Sequence, residues 1–201
     1  MFFKIIITLL LGFLLGCIPG AAIAAKAAGR KLESTVTTTG VLRELGVNYA
    51  LIALAVDVFK GFLAALLGWL IIAEASDLGI AIGGIAVMLG HVFNVAYGFR
   101  GAKGIAPYGG VLIMISWWLG LLLLVLGVLL FAAVKFYKPL VILATLIAAI
   151  LVSVFVARGW SIAYSWLMFA FSLFLQRDIL TNAFAGRSGF TGGKGSGRNL
   201  R

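Results

Sequence analysis

The chain reads as an all-α, polytopic membrane helical bundle of about seven helices, one of them a short half-helix, with the N-terminus outside and the C-terminus cytoplasmic. Three observations predict this. Of its 201 residues, 63% are hydrophobic and only 11% charged, the composition of a chain whose solvent is lipid. The apolar residues fall in runs long enough to cross a bilayer, for which roughly 20 residues at ~1.5 Å per residue suffice. The cations lie between those runs: when polar segments are placed alternately on two sides, thirteen of the sixteen Lys and Arg residues share one side, in 26–48, 96–106, 134–139 and 176–201. Lys4 and Arg158 face the other side with Glu74 and Asp77, and the positive-inside rule makes the basic side cytoplasmic.

The formal net charge of +10 therefore marks topology and contact with anionic membrane lipids, and no nucleic acid partner is expected, because the cations form no single face. Cys17 is the only cysteine and His91 the only histidine, which excludes an intrachain disulfide, a cysteine metal cluster and a multi-histidine metal site.

Ile5 to about Ala25 forms the first span, kinked at Pro19 within GCIPG, since proline breaks the helical hydrogen-bond ladder. The run ending at Cys17 imitates a lipoprotein signal, but it is expected to remain as an uncleaved first span. Lys26 to about Asn48 is polar, and its STVTTTG stretch reads as a loop or a short interfacial element. Tyr49 to Ala73 is the second span. It contains Asp57 and Lys60, and charges inside a span point to function because each costs ~2.5–3.5 kcal/mol at mid-membrane. Three residues apart, they can pair on one helix face; the alternative is a structural pair in which Lys60 reaches back to the surface.

EASD, Glu74 to Asp77, is a short acidic turn. Leu78 to about Val95 is the third span, rich in small residues that allow close helix packing. From Ile105 to Ala133 the apolar run is interrupted by Ser116-Trp117-Trp118, which predicts a half-helix over about 106–115 and a full span over 117–134; a single tilted helix is the alternative. Pro139 opens a sixth segment to about Val156, and Ser161 to Leu175 is the seventh. This makes 1–185 one integral-membrane domain. The tail 186–201, basic and glycine-rich, is expected to be disordered. Its TGGKGSG is not a nucleotide-binding loop, because no Ser or Thr follows the lysine.

Between the third and fourth segments lies GHVFNVAYGFRGAKGIAPYGG, Gly90 to Gly110. Charge and irregular backbone at a membrane helix end must be covered by protein or water, so this is the best candidate for a site. Gly101 and Gly104 let the backbone turn N–H groups toward a ligand, while Arg100 and Lys103 add positive charge. The natural guest is an anion such as phosphate, with Pro107 in the first turn of a helix whose dipole favours it.

These residues resemble those of a known family, the bacterial acyl-phosphate:glycerol-3-phosphate acyltransferases. Gly90-His91-Val92-Phe93-Asn94 stands where that family has Gly-His-x-Phe-Pro, and Arg100-Gly101-Ala102-Lys103-Gly104-Ile105-Ala106-Pro107 stands where it has Lys-Gly-Gly-Lys-Gly-Val-Ala-Thr. LLGCIPG, VLRELG and VDVFKG resemble its flanking segments. The resemblance covers about the first 112 residues. It implies transfer of an acyl group from acyl-phosphate to glycerol 3-phosphate, giving lysophosphatidic acid for phospholipid synthesis in the bacterial cytoplasmic (inner) membrane. It also implies that no metal or organic cofactor is needed, because the acyl-phosphate is already activated. By the same resemblance His91 and Arg43 would position or polarise the acceptor, and Arg100, Gly101, Lys103, Gly104, Asn94, Ser34, Thr39 and Lys60 would bind phosphate or substrate.

The chain also departs from the family pattern. The first cytoplasmic motif, Gly-Ser-Gly-Asn-x-Gly-Ala-Thr-Asn-x-x-Arg, is eroded to LESTVTTTGVLR, keeping Thr39 and Arg43 in place. The Ser-Leu-Ala-Ser-like segment reads Pro139-Leu140-Val141-Ile142, and the C-terminal Arg-His-Arg-Glu-Asn reads LQRDI. These losses support a second expectation, a catalytically inactive relative acting as a structural or lipid-binding subunit beside partner membrane subunits. A transporter is a weaker third reading, since no inverted repeat is visible.

Overall fold

The computed structural model describes residues 1–32, 37–99, 101–133, 137–156, 159–175 and 177. Among them are nine α-helices: α1 (Phe2–Gly16), α2 (Gly20–Ala27), α3 (Thr38–Leu45), α4 (Val47–Ile71), α5 (Ser76–Val92), α6 (Ile105–Ile115), α7 (Trp117–Ala133), α8 (Tyr137–Phe155) and α9 (Gly159–Leu175). Short 3-10 turns cover Ala73–Ala75 and Val95–Tyr97, and no strand occurs among the described residues. The expected seven apolar segments are present, with α1 and α2 as the two halves of the first. Lys135, Arg158 and the tail 186–201 lie outside the described residues.

Pro19 is extended (φ −90°, ψ 96°) and divides the first segment; the amides of Ala22 and Ile23 both donate to its carbonyl as α2 begins. The polar stretch after α2 contains α3, started by Thr37, whose hydroxyl accepts from the Gly40 amide at 3.1 Å, the usual cap of a helix N-terminus. Extended Ser116 separates α6 from α7. These two helices fold back on each other, with Gly109 facing Leu124 and Gly120 facing Ile113. That antiparallel hairpin confirms the half-helix and overturns the single tilted helix.

α1 packs on α5, and α4 packs on both α5 and α6. Lipid gives apolar helices no hydrophobic reason to associate, so contact depends on close backbone approach at small residues. At Gly61 a side-chain carbon would collide with the Pro107 carbonyl, and at Gly90 with the Phe13 carbonyl. Ala64, Ala65, Ile80, Val87, Tyr108, Val111, Leu112 and Tyr164 fill the centre. Phe3, Leu14, Leu51, Phe59, Trp69, Trp117, Leu129 and Phe174 are exposed around it. Three stretches, Phe2–Ala27, Val47–Ile71 and Ala73–Tyr97, are long and apolar enough to cross a bilayer. Small residues at the close helix contacts and large apolar residues on the outer face make this a multi-pass membrane protein.

The acidic turn has a specific use. Asp77 Oδ2 accepts from the amides of Trp160 at 2.9 Å and Ser161 at 3.2 Å, and Oδ1 takes the Ser161 hydroxyl. A carboxylate on α5 thus satisfies the first amides of α9, joining the second half of the chain to the first.

Candidate active site

Asp57 and Lys60 lie mid-way along α4 and face inward, 4% and 2% exposed. Lys60 Nζ is 2.7 Å from Asp57 Oδ1, 2.8 Å from the Ile18 carbonyl oxygen and 2.8 Å from His91 Nδ1. Two of these are hydrogen bonds, from the ammonium to the Ile18 carbonyl and to Nδ1, and the contact with Asp57 is an ion pair. The reading in which Lys60 reaches back to the surface is therefore wrong: the break at Pro19 supplies an acceptor closer to hand. In an unbroken helix the Cys17 and Ile18 carbonyls would accept from residues 21 and 22; here they accept from the Asn94 amide, at 2.9 Å, and from Lys60. Thr38 on α3 places its hydroxyl 3.5 Å from Asp57 Oδ2.

The segment after α5 folds over this cluster. Asn94 Oδ1 accepts from the Ala96 amide at 3.0 Å, the Gly98 backbone is left-handed, and the Gly101 amide donates to the Val92 carbonyl at 2.9 Å. The chain passes so close to α5 that a side chain on Gly101 would collide with the His91 carbonyl. Gly104, at φ +83°, then turns the chain into α6, a conformation glycine adopts without penalty.

Two clefts result. The first is lined by Pro19, Gly20, Ala21, Asp57, His91, Asn94, Tyr97, Gly101 and Ala102. The second is mostly apolar and lined by Met88, Lys103, Gly104, Ile105, Tyr108, Thr145, Met168, Phe171 and Ser172. Met88 and Gly104, whose Cβ would touch the Met88 methyl and lie 3.8 Å from His91 Cδ2, stand between them.

The structure thus gathers Lys60, His91, Asn94 and Gly101 in one place and sets Lys103 and Gly104 on the adjoining cleft. The Gly101 N–H is already bonded to Val92, which corrects its expected part as an amide donor to an anion. Asn94 ties the loop to the α1–α2 break through its Nδ2, while its Oδ1 caps the loop's own turn at Ala96. Thr39 bonds the Thr37 hydroxyl at 3.1 Å, and Arg43 is exposed on α3 and lines neither cleft. Ser34 and Arg100 lie outside the described residues. The sequence reading missed Thr38 and the Cys17 and Ile18 carbonyls, and it left Asp57 out of the binding set. The proline kink was the available signal, because a broken helix leaves carbonyls without partners. No group of three metal-ligating side chains occurs among the described residues.

A lipid-embedded helical bundle with a buried carboxylate, ammonium and imidazole beneath a glycine loop defines an integral membrane protein with a polar site inside it. Comparison with known proteins says which kind. A family model described as glycerol-3-phosphate acyltransferase matches residues 6–186. The chain is 31% identical to the glycerol-3-phosphate acyltransferase of Thermoanaerobacter pseudethanolicus over 195 residues, 94% of this chain and 96% of that one. It is 32% identical to that of Mesorhizobium japonicum over 203 residues, 97% and 100% of the two. Its fold is similar to the crystal structure of PlsY (YgiH), an integral membrane glycerol 3-phosphate acyltransferase, in the lysophosphatidic acid form: TM-score 0.78, 25% identity, covering 91% of this chain and 93% of that one. The chain belongs to the glycerol-3-phosphate acyltransferase family.

Proposed function

We propose that this protein acylates glycerol 3-phosphate in the bacterial cytoplasmic membrane, using an acyl-phosphate as donor and releasing lysophosphatidic acid and inorganic phosphate. The observation that carries this is the buried Asp57–Lys60–His91 cluster under the 98–104 loop, in a chain of this family. The glycerol hydroxyl oxygen bonds to the acyl carbon, the bond from that carbon to the phosphate oxygen breaks, and the hydroxyl proton ends on the departing phosphate.

In this reading His91 touches the reacting groups in the first cleft. Lys103, with Arg100 and the amide of Gly104, holds phosphate at the start of α6, where the helix dipole favours an anion. Arg43 and Thr39 meet the substrate from the α3 side, and Ser34 is assigned to the same binding set. The second cleft, with Met88, Ile105, Tyr108, Met168 and Phe171, suits the acyl chain, since each buried methylene contributes about 0.8 kcal/mol. The N-terminus lies outside, the basic loops and the tail 186–201 inside, and the soluble acceptor enters from the cytoplasm. The relatives named above all carry an acyltransferase name, which favours the enzyme over an inactive subunit.

The test is purified protein given acyl-phosphate and labelled glycerol 3-phosphate. Labelled lysophosphatidic acid is expected, with formation reduced on the order of a hundredfold by Lys103→Ala, as for loss of one charge-stabilising donor. No product from wild type, or equal product from Lys103→Ala, overturns the assignment.

A further inference from the structure

Lys60 constrains His91 in a way the pairing with Asp57 does not by itself require. Its ammonium has protons and no lone pair, so across the 2.8 Å contact with His91 Nδ1 Lys60 can only donate. Nδ1 must then present its lone pair, and the single proton of a neutral imidazole lies on Nε2. A proton on Nδ1 would set two donors face to face. The Asp57 carboxylate offers no competing acceptor, because its Oδ1 is 3.8 Å from Nδ1, beyond hydrogen-bonding distance. Among the described residues Nε2 has no partner. The ring is 7% exposed and lines the first cleft with Gly101 and Ala102, its Cδ2 edge, next to Nε2, toward Gly104.

We propose that Lys60, seated by Asp57 and the Ile18 carbonyl, is a positioning residue that fixes His91 as the Nε2–H tautomer, so that His91 acts in acyl transfer as a hydrogen-bond donor to a substrate oxygen and not as the base. The role in transfer rests on the acyltransferase reading; the tautomer does not. During transfer Nε2–H donates to the oxygen as it gains negative charge and keeps its proton. The proton of the attacking hydroxyl still ends on the released phosphate.

Because His91 is the only histidine of the chain, untagged protein labelled with nitrogen-15 histidine gives one imidazole in a solid-state NMR spectrum recorded in lipid bilayers at neutral pH. The expected spectrum shows Nδ1 bare and Nε2 protonated. In Asp57→Leu/Lys60→Met, which removes both charges together, that preference is lost. A wild-type spectrum with Nδ1 protonated, or an unchanged tautomer in the double variant, overturns the proposal. Activity separates donor from base: Gln at position 91 can donate from a similar place but cannot take a proton. His91→Gln should keep kcat within about tenfold of wild type, while His91→Leu loses about a hundredfold or more, the usual effect of deleting such a donor. Equal losses overturn the donor role. An inactive wild type refutes the acyltransferase reading, and the spectrum still decides the tautomer.

Discussion

Replacing Asp57 with Ala removes the only carboxylate among the described residues that pairs with the Lys60 ammonium and leaves that charge 2% exposed inside the bundle. Breaking a buried pair by deleting one partner costs about 3–5 kcal/mol, because the other charge stays desolvated without compensation. The Ile18 carbonyl and His91 still accept two of the three ammonium protons, so the lower end, about 3 kcal/mol, is expected. For a chain of this length that corresponds to a fall in Tm of about 6–12 °C, at roughly 2–4 °C per kcal/mol. The assay is thermal unfolding in a fixed detergent, followed by intrinsic tryptophan fluorescence. Asp57→Leu/Lys60→Met leaves no buried charge but takes the donor from the Ile18 carbonyl and His91 Nδ1, at about 1–3 kcal/mol for each orphaned group, so its melt is expected to lie close to that of Asp57→Ala. Asp57→Ala as stable as wild type would refute the argument that the ion pair is buried as a unit.

The remaining expectations concern packing, capping and the second cleft. Gly61→Ala drives a methyl into the Pro107 carbonyl and should destabilise by about 1–3 kcal/mol, whereas Gly127→Ala, with nothing within 4 Å, should melt with wild type. Asp77→Ala removes the acceptor of two α9 amides and should lower stability by about 0.5–2 kcal/mol in the same melts. Phe171→Ala enlarges the cleft beside Lys103 and should shift the acyl-chain preference toward longer donors, read from rates with acyl-phosphates of graded length; an unchanged preference would place the chain elsewhere.

Much of the fold was legible because bilayer thickness imposes a length on each apolar run and a side on each basic loop. Ser116-Trp117-Trp118 correctly marked the end of the half-helix, since a polar, interface-seeking triplet has no place in the middle of a span. The candidate site was legible in part. Spacing put Asp57 and Lys60 on one face of α4, but their direction depends on carbonyls freed by Pro19 in another helix. Among three successive threonines the sequence could not say which meets Asp57: the start of α3 makes Thr37 the cap, turns Thr38 to the carboxylate and bonds Thr39 to Thr37. Glycine spacing suggested amides facing a ligand, yet Gly101 is needed for close approach to α5 and its amide for holding Val92.

The central claim is that a glycerol hydroxyl displaces phosphate from an acyl-phosphate beside His91. The most direct measurement follows lysophosphatidic acid and inorganic phosphate together in bilayer-reconstituted protein supplied with both substrates. Equal rates of the two products from wild type, and loss of both in His91→Leu, are predicted. Phosphate released without lysophosphatidic acid, or equal yields of both from His91→Leu, would contradict it.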